Sequence, residues 1–211
     1  MIRILIADDH PFVRRGVKQV LIDEFPEVVI GEASTAPELL ELAGKHRWDL
    51  VMLDLTMPGR SGLDALHELR AGWPDTPVLV LSMHPEDQFA LRVLRAGAAG
   101  YLTKESIPEE LVQAVGKIIA GGKYIRPSVA DLLATQLQQG DDNQPPHARL
   151  SDREFQVLGL IAHGKTVTHI AEELSLSVKS VSTYRARIME KLHLNSTADL
   201  TRYALEHHLI V

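Results

Sequence analysis

Apolar residues along the first 120 positions fall into short unbroken runs, not into alternating patterns. Ile2–Ala7, Val28–Ala33, Leu50–Leu53 and Val78–Leu81 are such runs, and Gly100–Leu102 is a weaker one. Between them, at about 11–24, 37–46, 62–71, 86–96 and 107–120, apolar residues recur at helical spacing. Two helix starts carry the Ser/Thr-x-x-Glu capping pattern, Thr35 with Glu38 and Ser106 with Glu109. Continuous apolar strands alternating with helices predict a parallel sheet covered on both faces, a doubly wound α/β domain of five strands. Residues 127–138 predict a further amphipathic helix. The polar stretch Gln138–Pro146, with one Gly and two Pro, predicts a linker.

The pattern changes at Leu150. Helix signals continue from there and strand signals do not. Ser151 with Glu154 opens a helix whose apolar face is Phe155, Val157, Leu158 and Ile161. A short helix at about 167–174 follows. Then comes a turn through Ser175, Leu176 and Ser177, a longer helix at about 178–192, and a last one at about 196–207. A short helix, a tight turn and a longer helix make a helix-turn-helix, whose second helix enters the DNA major groove. The domains expected are therefore 1–121 (α/β), 122–148 (helix and linker) and 149–211 (a smaller all-α domain).

Composition narrows the classes. Of 211 residues 45% are hydrophobic and 24% charged, as in ordinary globular chains. No apolar stretch approaches the roughly 18 residues of a membrane span, and Arg3, Asp8 and Asp9 interrupt any leader-like opening. Cysteine is absent, which excludes disulfides and thiolate metal sites and agrees with a reducing cytoplasm. Charge is uneven. Residues 1–148 hold 14 Lys+Arg against 21 Asp+Glu, a net of −7, whereas residues 149–211 hold 8 against 7, a net of +1. That balance does not by itself mark a nucleic-acid binder, so the placement of the charges has to decide.

Placement is informative. Asp8 and Asp9 end the first predicted strand, Asp54 the third and Ser82 the fourth, and Lys104 follows the fifth just past Tyr101. In a parallel sheet all these ends lie on one edge, where such folds bind their ligands. Three crowded carboxylates call for a hard divalent cation, and Mg2+ uses one or two carboxylates together with waters and phosphate oxygens. A carboxylate beside such an ion can act as a nucleophile toward phosphorus. Lys104 can neutralise the transferred group and Ser82 can donate to it. Singly, each residue reads as a cap or a surface group. Together, at the ends of different strands on one edge, they read as a phosphoacceptor site.

The motifs Ile6-Ala7-Asp8-Asp9-His10-Pro11, Asp54-Leu55-Thr56-Met57-Pro58-Gly59 and Ala98-Ala99-Gly100-Tyr101-Leu102-Thr103-Lys104 resemble the receiver domain of NarL/FixJ-family response regulators over about residues 1–121. The resemblance implies a flavodoxin-like receiver fold, with Asp54 as the phosphorylated residue. It implies Mg2+ held by Asp8, Asp9, Asp54 and the backbone carbonyl of Thr56. Ser82 and Lys104 would be the switch hydroxyl and the phosphate-binding lysine, and Tyr101 an aromatic switch that turns inward on phosphorylation. Thr56 and His84 would tune the phosphate's lifetime, although His84 reads equally well as a surface residue at a helix start.

In the helix at 178–192, Val181, Ile188 and Leu192 share one stripe. Lys179, Ser182, Thr183, Ala186, Arg187 and Glu190 face away from it, and Tyr184, Arg185 and Lys191 flank it. Four basic residues against one acidic give this helix a local charge of +3. The sequence around Leu150–Glu154, Ile170–Leu174 and Ser177–Leu192 resembles the LuxR-type helix-turn-helix over about residues 149–206. The resemblance implies DNA contacts from Lys179, Ser180, Ser182, Thr183, Tyr184, Arg185, Arg187 and Lys191. Ser182 stands where that pattern commonly has Lys, and Tyr184 where it commonly has His; these are positions that would read the operator, so the resemblance does not carry over an operator sequence.

The whole then resembles a cytoplasmic two-component response regulator. The resemblance implies that a sensor histidine kinase phosphorylates Asp54, that the chain then dimerises and that two recognition helices read promoter half-sites on double-stranded DNA, with no membrane partner. Such a protein slowly dephosphorylates itself and is not an enzyme in the ordinary sense. A regulator that binds DNA independently of phosphorylation is the alternative. A haloacid-dehalogenase-type phosphohydrolase is disfavoured, because Thr56 occupies the position where those enzymes carry a second Asp.

Overall fold

The computed structural model describes the chain except residues 58–61, 84–85, 140–144, 175, 208 and 211, and except the side chains of residues 86–88, 135–139, 148 and 152. His84, Pro58, Gly59, Ser175 and most of the predicted linker lie outside the described residues. The chain forms two compact units, Met1–Thr135 and Gln136–Val211.

The first unit is a five-stranded parallel sheet, with β1 (Ile2–Ala7), β2 (Val28–Ala33), β3 (Leu50–Asp54), β4 (Val78–Ser82) and β5 (Gly100–Thr103). The spatial order is β2-β1-β3-β4-β5. The unbroken apolar runs are explained by the burial. Every residue of β3 and β4 is buried, as expected of central strands covered on both faces. Edge strand β2, by contrast, is only partly buried. Strands β3, β4 and β5 each extend past the predicted apolar run, so that Asp54 and Ser82 are themselves the last strand residues.

Helices α1 (Pro11–Glu24), α2 (Ala36–Lys45), α3 (Gly62–Gly72) and α4 (Glu86–Arg95) connect the strands, and α5 (Ile107–Ile119) and α6 (Pro127–Gln139) follow β5. Val17 and Leu21 of α1 meet Leu111, Ala114, Val115 and Ile118 of α5 in one core with Ile4, Ile6, Leu50, Met52, Leu79 and Leu81 of the sheet.

The capping patterns came out in three ways. The N–H of Glu38 donates to Thr35 at 3.3 Å, but the Glu38 carboxylate reaches back to the Ser34 N–H at 2.7 Å instead of to Thr35. Ser106 does not cap α5. Its backbone is already helical, and its hydroxyl donates to the Thr103 carbonyl at 3.0 Å, tightening the turn after β5. Ser151 forms the complete reciprocal box with Glu154.

In the second unit a 3-10 turn (Pro146–Arg149) leads into α7 (Asp152–Ala162), α8 (Val167–Glu173), α9 (Val178–Leu192) and α10 (Thr197–Glu206). The predicted stripe is the buried one: Val181, Ile188 and Leu192 of α9 are buried, as are Phe155 and Leu158 of α7, Ile170 of α8 and Leu200 of α10. Helix α9 starts on Ser177, whose hydroxyl accepts from the Ser180 N–H at 3.0 Å. It stops at His193 in the left-handed conformation, φ 54°.

Candidate functional site

Strand order decides which side chains meet. Asp8 and Asp9 follow β1, and Asp54 ends the neighbouring β3. Ser82 ends β4, and Lys104 follows β5. The Lys104 N–H donates to the Ser82 carbonyl at 2.7 Å, which seats the lysine beside that strand end. Its side chain reaches back across the edge, with Nζ 2.7 Å from Asp8 Oδ2 and 2.8 Å from Asp54 Oδ2. Asp8, Asp54 and Ser82 are fully buried, and the Lys104 side chain is 6% exposed. Thr56 is tied to the same cluster, its N–H donating to Asp54 Oδ1 at 3.0 Å while its own hydroxyl is buried without a partner.

Gly62 closes the loop after Asp54. Its N–H donates to the Leu55 carbonyl at 3.2 Å. A Cβ there would stand 2.4 Å from Leu55 Cα and 2.5 Å from the Asp54 carbonyl oxygen, so only glycine allows the start of α3 to approach the strand end this closely.

Electrostatics suit the cluster to a cation. Burial raises the Asp54 carboxyl above the usual carboxylate range. The charge of Asp8 adds to the rise, and Lys104 opposes it. For Lys104 burial works against the ammonium, but Asp54 and Asp8 outweigh it and hold its pKa above the ordinary value. Asp8, Asp9 and Asp54 against Lys104 leave two negative charges uncompensated, which suits one hard divalent ion. Ligand atoms of Asp8, Asp9, His10 and Asp54 lie within 4.8 Å of one another. The donor set thus fits such an ion.

Two residues of this region were not legible as site members. The His10 N–H donates to Asp8 Oδ1 at 2.7 Å, and its ring Nδ1 stands 2.8 Å from Asp9 Oδ1. The Arg14 guanidinium donates to the Asp8 carbonyl at 2.6 Å and pairs with Glu32, which also takes Lys18 at 2.6 Å. The available signal for both was their position on the first turn after β1, since Pro11 starts α1 at once. Tyr101 is 2% exposed, so its ring is already inward; the expected turn from an exposed position does not start from this conformation.

On α9 the structure divides the predicted contact residues. Lys179, Ser182, Thr183 and Arg187 are exposed; Ser180, Tyr184 and Arg185 are half-buried. The Ser180 hydroxyl bonds the capping Ser177 at 2.8 Å, and the Thr183 hydroxyl donates to the Lys179 carbonyl at 2.9 Å. The Lys191 ammonium lies 2.6 Å from the carboxylate of Glu154, whose side chain is 3% exposed. Burial works against the Glu154 charge. Lys191 and the Ser151 N–H outweigh it and hold the carboxyl below its usual range.

A parallel receiver-like sheet with an acidic edge, joined in one chain to a helix-turn-helix, defines a two-component response regulator. The comparisons agree. The model of the response regulator receiver domain matches residues 4–116, and that of bacterial regulatory proteins of the luxR family matches residues 148–204. The chain belongs to the response regulators that join a receiver to a LuxR-type helix-turn-helix, and it is accordingly a transcription regulator. It is 40% identical to the response regulator GacA of Pseudomonas aeruginosa over 210 residues, 100% of this chain and 98% of that one. It is 35% identical to UvrY of Escherichia coli over 209 residues, 99% and 96% of the two chains. Among solved structures it resembles the RcsB response regulator of Salmonella typhimurium, at 29% identity, TM-score 0.70 and 96% coverage of both chains. It also resembles an RcsB–DNA complex, at 29% identity, TM-score 0.59 and 96% of both chains. Among the described residues no helix is long and apolar enough to cross a membrane.

Proposed function

We propose that Asp54 of this regulator accepts a phosphoryl group from a partner histidine kinase and that the modification controls dimerisation and promoter binding through α9. The observation that carries the reading is the buried Asp8–Asp54–Lys104 triad, at 2.7 and 2.8 Å, on the carboxyl edge of the sheet. The Asp54 carboxylate attacks phosphorus, the phosphorus–nitrogen bond to the kinase imidazole breaks, and the leaving imidazole keeps its electron pair. Asp8, Asp9, Asp54 and the Thr56 carbonyl would hold Mg2+, which, when bound, neutralises charge on the phosphoryl oxygens. Phosphorylation adds about two negative charges. Lys104 then exchanges its ion pair with the bare carboxylate for one with the phosphate, and Ser82 donates to the same oxygens. The inward Tyr101 is one of the two positions this switch would use. Slow hydrolysis of the acyl phosphate, tuned at Thr56, returns the protein to its resting state.

For α9 the exposed set Lys179, Ser182, Thr183 and Arg187 supports base and phosphate contacts, with Tyr184 and Arg185 at the flank. A dimer would read two half-sites about one DNA turn apart. The receiver at 1–121, the helix and linker at 122–148 and the DNA-binding domain at 149–211 are supported by the family matches at 4–116 and 148–204. A cytoplasmic place follows from the reading, since kinase phosphotransfer and promoter DNA both lie there. The test is intact-mass spectrometry with acetyl phosphate and Mg2+ on the wild type and on Asp54→Ala. One added phosphoryl group in the wild type alone is expected; none in either would leave a regulator that works without phosphorylation.

A further inference from the structure

The acidic pocket has a different nitrogen group on each of its two sides. Lys104 occupies the Oδ2 atoms of Asp8 and Asp54. On the other side of Asp8, at Oδ1, stands the imidazole of His10, with Nδ1 3.2 Å from that atom and 2.8 Å from Asp9 Oδ1. The ring is not on a loose loop. The His10 N–H is bonded to Asp8 Oδ1 at 2.7 Å, and the next residue, Pro11, begins α1. The His10 side chain is 59% exposed, so solvent and ions reach it.

His10 offers a ring nitrogen to the same set of ligand atoms, within 4.8 Å of one another, as the oxygens of Asp8, Asp9 and Asp54, and Nδ1 is the nitrogen that stands within 3.2 Å of both Asp8 and Asp9. Metal–ligand bonds of about 2.1 Å place opposite ligands about 4.2 Å apart, so modest contraction brings all four onto one ion. Donor chemistry then matters. Oxygen donors alone suit Mg2+, whereas imidazole favours first-row transition ions.

We propose that His10 is a nitrogen ligand of the divalent-cation pocket, which makes it a mixed nitrogen–oxygen site with a raised preference for ions such as Mn2+ or Co2+ over Mg2+. The nitrogen that binds the ion is Nδ1, with the ring proton on Nε2. This rests on the reading that Asp8, Asp9 and Asp54 hold a divalent ion at all.

The test uses the full-length chain as wild type, His10→Ala and His10→Gln, titrated calorimetrically with Co2+ and with Mg2+. Pulsed electron paramagnetic resonance of the Mn2+-loaded proteins supplies the second readout. Loss of the nitrogen ligand is expected to weaken Co2+ by about tenfold or more and to leave Mg2+ within about twofold. The Mn2+ signal of the wild type should carry the coupling of a directly bonded imidazole nitrogen, absent from both variants. The other nine histidines contribute equally to all three proteins and cancel in the comparison. Equal weakening of Co2+ and Mg2+, no weakening of either, or no nitrogen coupling in the wild type overturns the proposal and leaves His10 as a neighbour that positions the acids. If neither ion binds the wild type, the divalent-pocket reading itself fails, which is a separate result.

Discussion

Replacing Lys191 by Met separates two roles that a basic residue on a recognition helix can have. The ammonium lies 2.6 Å from a Glu154 carboxylate that is only 3% exposed. Removing it leaves that carboxylate with the Ser151 N–H, at 2.7 Å, as its remaining close donor. A hydrogen bond to a charged group is worth about 1.5–3 kcal/mol, and breaking a fully buried pair costs about 3–5 kcal/mol. The Lys191 side chain is 40% exposed, so water offsets part of the loss and about 2 kcal/mol is expected. For a unit of this size that lowers the melting temperature by about 10 °C. Calorimetric melting of the full chain reads it directly, in the transition of the C-terminal unit. Glu154→Gln needs no counter-charge, so Lys191→Met should cost under about 0.5 kcal/mol in that background.

The pH dependence has a fixed sign. The folded pKa of Glu154 lies below its unfolded value, so its contribution is complete above the ordinary carboxylate pKa of about 4.3 and is lost as pH falls through the lower folded value. The gap between wild type and Lys191→Met should therefore hold at neutral pH and close in acid. DNA affinity completes the test. A phosphate contact contributes about 0.9 to the slope of log affinity against log salt; Lys191→Met should leave that slope unchanged. A stable variant whose slope falls by about one contact would refute the clamp and make Lys191 a phosphate ligand.

Arg187→Ala should do the converse. It leaves melting within about 0.5 kcal/mol and reduces the salt slope by about 0.9, measured by fluorescence anisotropy on promoter DNA. Asp54→Asn is expected to stabilise the receiver by about 1–3 kcal/mol in chelator at pH 7. The raised Asp54 pKa means its stabilising state is complete below the unfolded pKa and lost as pH rises through the folded one; Mg2+ should shrink the gap, and a variant that melts below the wild type in chelator would contradict this. Gly62→Ala sets a methyl against the backbone of Leu55 and Asp54, at 2.4 and 2.5 Å. It should cost about 3 kcal/mol or more by denaturant melting and slow phosphoryl uptake by moving the Asp54 strand end.

What could be read from the chain follows a physical divide. The sheet was legible because β3 and β4 are buried on both faces, which forces unbroken apolar runs that no exposed segment needs. The acidic edge was legible for the same reason. Polar residues that interrupt such runs at their carboxyl ends must share one edge, whatever the helices between them do. The stripe of α9 was legible because Val181, Ile188 and Leu192 keep to one face of a regular helix. Contacts set by tertiary approach left no such trace. Lys191 and Glu154 are 37 positions apart and pair because α7 packs on α9, so its place at the flank of the stripe and the family resemblance made Lys191 look like one more basic residue on a DNA-reading helix. Ser106 and Glu109 have the spacing of a cap, yet the tight turn after β5 offers the Ser106 hydroxyl the Thr103 carbonyl instead.

The same divide explains the two faces of this regulator. In the receiver, charge is concentrated where burial makes it costly, at Asp8, Asp54 and Lys104, so adding phosphate there alters a balance that the fold holds under strain of charge alone. In the C-terminal unit the buried charge, Glu154, is answered by Lys191 and Ser151, and of the charges of α9 that remain, Lys179, Arg187 and Glu190 are exposed and Arg185 is half-buried. The first arrangement suits a switch, because its stability depends on which ion or phosphate is present. The second suits a rigid reader, because its stability depends on neither. Phosphorylation should therefore shift receiver melting by several degrees while the C-terminal unit melts unchanged. Movement of both transitions together would show that the two units share their stability and would make the reader part of the switch.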